Sequence, residues 1–375
     1  MKKHFTLLSS ALLMLSLTLT GCSSSGDTTG TTGGTTTSPD SSTSTPADTA
    51  DLGKAACVLG IGGLGDQSYN DLAYAGMLQA EAELGVPFDY AEPSQLSDFE
   101  PIIRDMATSG EYGVIVCVGF DAIDPLIAVS ADFPDQKFAL IDGEVEAANV
   151  ANYTYKEEEG SFLVGVLAGL MQKNPEAYGM EGTGTISFIA AMEIPLLVKF
   201  NAGYQAGAKL VNPDIEILTD YVGGSNPFND TTTAKEITLS QNNRGSELVF
   251  NVAGGSGLGI FQAADEGGFY AIGCNSNQNV LDPDTIVMSM MKQVDVTAFE
   301  IVKAAHVDDA LAVGGTTIMD VANGGCGYAV EGSDIEYLAE DIAIVEDFMA
   351  QIAAGDLVIP SVMEDVDAFL ANTTF

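Results

Sequence analysis

From residue 55 onward, short apolar runs alternate with helix-period segments, and this alternation limits the chain to one class of architecture. Ala55–Ile61, Gly113–Val118 and Lys137–Ile141 read as buried strands. Between and after them, Asn70–Leu84, the stretch around Pro125–Ser130 and Glu157–Gln172 read as helices. Leu72, Ala75, Leu78 and Ala82 are expected to form the buried face of the first helix, which Gly85 ends. A second series follows, with strands at Gly184–Ala190, Ile215–Tyr221, Glu247–Val252 and Phe269–Cys274 and helices at Val198–Leu210, Thr232–Gln241 and Leu258–Glu266. Repeated β-α units imply parallel sheets covered by helices on both faces, and two series imply two doubly wound, Rossmann-like α/β lobes joined by a hinge. The tail reads as a strand at Thr285–Met290, a helix at Val294–His306, a strand at Thr316–Val321 and a helix at Asp341–Ala354. The expected division is a first lobe over about 54–175 plus 285–320 and a second over about 180–284 plus 321–375.

Upstream, Lys2-Lys3 precede an apolar run from Phe5 to about Leu19, closed by Leu19-Thr20-Gly21-Cys22. The run is about 15 residues, shorter than the roughly 20 that a spanning helix needs, and it has the layout of a secretory signal. Its end resembles the lipobox of bacterial lipoproteins. That resemblance implies removal of residues 1–21, lipid on the Cys22 sulfur and attachment to the outer face of the cell membrane. Of the 28 residues in Ser23–Ala50, 21 are Ser, Thr or Gly, too few of them apolar to offset the entropy of ordering, so 22–50 is expected to serve as a tether.

Charge and rare residues exclude several functions. Without residues 1–21 the chain carries 11 basic against 53 acidic side chains, a formal −42 that repels nucleic acid and anionic lipid. No EF-hand-type loop and no C-x-x-C pair occurs, so no metal is expected. Cys57 and Cys117 fall in apolar runs as small hydrophobes; a Cys274–Cys326 disulfide stays open at this level. The only histidine beyond the signal is His306, with no G-x-S-x-G elbow beside it, so the chain is not read as an enzyme and needs no cofactor.

In open α/β sheets, ligands bind beyond the carboxyl ends of the strands. That rule selects Gly62–Asn70, Gly119–Asp124, Ala191–Phe200, Ala253–Gly257 and Asn275–Gln278. At these loops the chain resembles the basic membrane protein family of substrate-binding lipoproteins, especially the purine-nucleoside receptors of ABC importers. The motifs are Gly63–Asn70, Val118-Gly119-Phe120 with Asp124, Glu159–Gly165, Phe200–Gly207, Ala253–Gly259 and Ser289–Lys292. The resemblance implies a periplasmic-binding-protein type I fold with a ligand held between the lobes. It implies that Tyr69 and Phe200 sandwich a purine, with Phe120 in the same site, and that Asn70 and Asp124 read the base edge. Asp66 orders its loop or touches ligand, Gly254 and Gly255 let backbone N–H groups approach a sugar, and Lys292 donates to ribose hydroxyls. The family's acidic D-x-D-Q stretch is replaced by Asn275-Ser276-Asn277-Gln278. This exchange is expected to weaken a diol contact at Asn275 and to deprive Lys292 of its counter-charge. The implied partners are a nucleoside or related small molecule and separately encoded ATPase and permease subunits, since the chain has no G-x-x-x-x-G-K-[ST] loop and no membrane span is read after the signal. A sugar or another small polar metabolite or signal is the alternative ligand.

Overall fold

The structure, a computed structural model, describes residues 53–375. The signal, Cys22 and the tether lie outside the described residues.

The first sheet is built from β1 (Lys54–Val58), β2 (Phe88–Ala91), β3 (Tyr112–Val118), β4 (Phe138–Ile141), β5 (Val150–Tyr155) and β11 (Thr316–Met319), in the order β11-β5-β4-β3-β1-β2. All its pairs are parallel. The period-two geometry of a strand divides β1 between two cores: Ala55 and Cys57 belong to one cluster, Ala56 and Val58 to the other. One face carries α1 (Tyr69–Leu84) and α8 (Val294–His306), the other α2 (Leu96–Ser109) and α3 (Ile123–Asp132). Strands covered on both faces read as continuous apolar runs, and this is what made them visible in the sequence.

The second sheet contains β6 (Thr185–Ala190), β7 (Glu216–Tyr221), β8 (Leu248–Val252), β9 (Tyr270–Asn275), β10 (Ile286–Lys292) and β12 (Cys326–Ala329), in the order β12-β10-β9-β8-β6-β7. Only the β10–β12 pair is antiparallel. Its helices are α4 (Glu157–Lys173), α5 (Pro195–Val211), α6 (Thr231–Asn242), α7 (Gly257–Gly267), α9 (Ala339–Ala354) and α10 (Val366–Asn372). In each sheet the strand order reverses, at β1/β3 and at β6/β8, and a doubly wound sheet binds ligands at such switch points.

Three sequence expectations are corrected. The chain does not return to the first lobe near 285: β10 pairs with β9, and the crossing comes after Lys292, where α8 packs on α1. An apolar strand reads the same in either sheet, so the run itself held no information on its partner. In α1 the buried residues are Asn70, Ala73, Gly76, Met77 and Ala80, while Leu78 is exposed. Small side chains take the buried face because α8 comes too close for a side chain at Gly76. Cys274 and Cys326 are free thiols on β9 and β12, with β10 between them. Two strand spacings are about 9–10 Å, beyond the roughly 7 Å limit for a disulfide.

The small-residue helix α4 lies against α5. A Cβ at Gly165 would meet the Tyr204 carbonyl, and one at Gly203 the Glu158 carbonyl, so the backbones touch directly. This contact fixes the first turn of α4, which carries Glu157, beside the hinge.

Candidate functional site

The loops after β1, β3, β6 and β8 converge on a cavity between the lobes. Its wall includes Asp66, Tyr69, Asn70, Phe120, Phe200, Gly254, Gly255, Asn275 and Lys292. Nine of the ten residues selected from the sequence therefore meet there. The tenth, Asp124, does not: it is exposed in the first turn of α3, and Asp121 takes the place at the wall. The 3-10 turn over Phe120–Ala122 causes the difference by turning residue 121 inward, where Asp121 Oδ2 accepts from the Ile61 N–H at 3.4 Å.

The first loop is ordered by its own side chains. Asp66 Oδ1 accepts from the N–H groups of Ser68 at 2.9 Å and Asp71 at 3.2 Å, and Oδ2 accepts from Asn70 N–H at 2.9 Å and Nδ2 at 3.2 Å. Asp66 thus satisfies the donors at the start of α1, a capping role otherwise open to Asn70. Burial pushes the Asp66 carboxyl up, opposed by these N–H groups. Asn70 Oδ1 accepts from the Gly60 N–H at 2.9 Å, so this amide oxygen holds β1 to α1 rather than facing a ligand.

At the floor lies a charged cluster. The Lys292 ammonium is 2.5 Å from Asp142 Oδ2 and 2.9 Å from Glu157 Oε1, and all three side chains are buried. The Lys292 ammonium is 5.3 Å from the centroid of the Tyr69 ring, 4.6 Å from Tyr155 and 5.8 Å from Phe200. Burial alone would push the Lys292 ammonium down; Asp142 and Glu157 outweigh it and hold it above the ordinary lysine range. Burial also raises the Tyr69 hydroxyl, and neighbouring Asp142 adds to this, so Tyr69 stays a neutral donor. The expectation that Lys292 lacks a counter-charge is thereby overturned. Its two carboxylates come from positions that no motif marked: Asp142, in a left-handed conformation (φ 65°) just after β4, and Glu157, the first residue of α4.

Across the mouth, the lobes are joined by hydrogen bonds. Ser68 Oγ donates to the Cys274 carbonyl at 2.8 Å and accepts from Asn275 Nδ2 at 2.9 Å. Ser276 Oγ and Gln278 Nε2 both donate to the Gln67 carbonyl, at 2.7 and 3.0 Å. The Asn275 amide therefore has a structural role of its own, since an aspartate there would present an acceptor where Ser68 needs a donor. Asn275 Oδ1 is buried and takes no hydrogen bond within the protein, and the same holds for Asp142 Oδ1. Leu196 and Leu197 at the start of α5, Val252 at the end of β8 and Phe228 in the loop between β7 and α6 also line the wall, and none of the four was singled out from the sequence as a site residue. His306 ends α8, packed over Gly113 and away from the cavity wall.

Beside this cluster, Glu158 is buried with Oε2 unpaired. Burial pushes its carboxyl from 4.5 up to about 7. Between those values the folded chain keeps a proton that the unfolded chain has released, so this group's contribution to stability is full below 4.5 and falls as pH rises to about 7. The loss is at most about 3–4 kcal/mol, from about 1.4 kcal/mol per pKa unit. Glu158→Gln is expected to melt higher than the parent at pH 8 and to match it near pH 4; equal differences at both pH values in thermal melts would refute the assignment.

Two doubly wound lobes enclosing a cavity at their switch points define a solute-binding protein of the periplasmic-binding-protein type I class. The comparisons with known proteins narrow the class. Residues 54–354 match the family described as Bmp, ABC transporter substrate-binding protein PnrA-like, and the chain belongs to that family. An uncharacterized lipoprotein of Pyrococcus abyssi is 34% identical over 288 residues, 73% of this chain and 68% of the relative. Basic membrane protein A of Borreliella burgdorferi is 27% identical over 315 residues, 81% of this chain and 87% of its own. The crystal structure of an ABC transporter solute-binding protein from Aeropyrum pernix superposes with a TM-score of 0.75 at 28% identity, covering 84% of this chain and 98% of that one. Family and fold are those of substrate-binding proteins. Among the described residues, no helix is long and apolar enough to cross a membrane.

Proposed function

We propose that this substrate-binding protein captures a nucleoside, with a purine base, between its lobes and delivers it to an ABC import permease while anchored through lipid on Cys22. The observation that carries the reading is the composition of the cavity wall. Tyr69, Phe120, Phe200 and Phe228 supply aromatic surface, and beside them two wall residues, Asn275 and Asp142, each hold a buried oxygen without a donor. A ligand with one flat apolar part and hydroxyl or amine donors satisfies both sets, and a nucleoside has that form. A free sugar offers the donors but leaves most of the aromatic wall without a flat partner.

In this reading the base lies between Tyr69 and Phe200, and its sugar donates toward Asn275 and Asp142 while accepting from Lys292. Aromatic contacts of this kind contribute about 0.5–1.5 kcal/mol each beyond the area they bury. Phe200→Ala is therefore expected to weaken nucleoside binding at least tenfold, about 1.4 kcal/mol. Titration calorimetry with a purine nucleoside checks this, and unchanged affinity would remove Phe200 from the site.

A further inference from the structure

The cavity shares a wall with a second groove. Ile61, Phe120, Asp121 and Phe228 line both. Two of them come from opposite lobes: Phe120 begins the turn after β3, and Phe228 lies between β7 and α6. Their ring centroids are 6.2 Å apart with planes at 48°, so an aromatic contact spans the cleft at this wall.

One half of the contact is held rigidly. The Phe228 carbonyl accepts from the Ser256 N–H at 3.1 Å. The Ser256 hydroxyl, fully buried, donates to the Pro227 carbonyl at 2.8 Å and accepts from the Asp230 N–H at 2.6 Å. Phe228 also packs on two glycines of the wall: a Cβ at Gly62 or at Gly254 would lie 3.7 Å from its own Cβ. The backbone around Phe228 is therefore held by the second lobe, and its side chain meets Gly62 and Phe120 of the first. The groove beyond contains Asp121 and Asp124 and no lysine or arginine. Its remaining polar groups, among them Gln95, Ser225 and Asn226, are neutral. A phosphate passing this wall would face carboxylates with no cation to offset them.

We propose that Phe120 and Phe228 are specificity determinants: together they form a gate that limits ligand length, and the acidic groove behind it takes neutral or cationic extensions but not anionic ones. The proposal rests on the reading that the cavity holds a nucleoside-sized ligand, and one arm of the test is independent of that reading.

The test uses the full chain with Cys22→Ser. Val252 lines the cavity and is buried, and Cys57, Cys117, Cys274 and Cys326 are buried thiols, so Val252→Cys gives a reporter on the cavity side of the gate. In that background, Phe228→Ala is expected to speed alkylation by iodoacetamide at least tenfold, and Phe228→Leu to change it much less. Without the reporter, Phe228→Ala is expected to bind nucleosides with a benzyl group on the base, or an alkylthio group at the 5′ carbon, at least tenfold tighter than the parent does. The corresponding 5′-monophosphate should gain nothing. Unchanged alkylation together with unchanged binding of both extended nucleosides overturns the gate. An equal gain for the monophosphate overturns the charge selection. Faster alkylation in a protein that binds no nucleoside supports the gate and refutes the nucleoside reading.

Discussion

Lys292→Met is expected to destabilise the protein by about 3–5 kcal/mol and to abolish tight ligand binding. The ammonium it removes is buried between Asp142 and Glu157, 2.5 and 2.9 Å away. Deleting one partner of a buried ion pair leaves the other charge without compensation, and losses of that size follow. Here two carboxylates are left facing each other, so one takes up a proton and the loss grows as pH rises. For lobes of this size the melting temperature should fall on the order of 10 °C. Adding Asp142→Asn to Lys292→Met removes one stranded carboxylate and should recover part of the stability but none of the binding. Urea unfolding of the single and double variants checks this. A single variant as stable as the parent would show that the cluster contributes little to folding.

Gly203→Ala is the second large effect. Alanine is favoured over glycine in a helix interior by about 1 kcal/mol, so on propensity alone the change should stabilise α5. The added Cβ, however, would overlap the Glu158 backbone carbonyl, which cannot rotate away as a side chain could. Overpacking costs about 1–3 kcal/mol, and more where backbone must move, so a net loss of about 2 kcal/mol is expected. Because Glu157 and Glu158 begin α4, separating the helices also shifts a carboxylate that holds Lys292, and ligand affinity should fall with stability. Gly327, where a Cβ meets nothing within 4 Å, is the control. Equal midpoints for Gly203→Ala and Gly327→Ala in urea would contradict the close helix contact.

The fold was legible because its strands are covered on both faces. Val114–Val118 and Phe138–Ile141 have no exposed side to interrupt the apolar run. The rule that ligands lie beyond strand ends then found most of the cavity wall, including loops about 200 residues apart in sequence such as those of Tyr69 and Asn275. What the rule cannot see is where single side chains point. Asp121 and Asp124 lie three residues apart, and only the 3-10 turn ahead of α3 decides which faces inward. Asp142 and Phe228 belong to loops without a motif, yet one holds Lys292 and the other closes the wall. The face of α1 was misread because close helix packing favours Ala73, Gly76 and Ala80 over Leu78, the reverse of a hydrophobicity pattern. The change from acidic to amide residues at Asn275 looked like a lost ligand contact. In the folded chain it gains a hydrogen bond to Ser68 that ties the two lobes.

The most direct test of the central claim is a thermal-shift titration of the full chain carrying Cys22→Ser, first unfolded and refolded to remove any ligand carried from the cell. Purine nucleosides, deoxynucleosides, free bases and sugars are compared. A ligand at 100 times its dissociation constant adds about 2.7 kcal/mol to the stability of the form that binds it. For lobes of this size that corresponds to roughly 5–10 °C. A shift of that size with purine nucleosides, and a smaller one or none with sugars and free bases, is the expected result. A shift with sugars alone, or with none of the four classes, would contradict the nucleoside assignment.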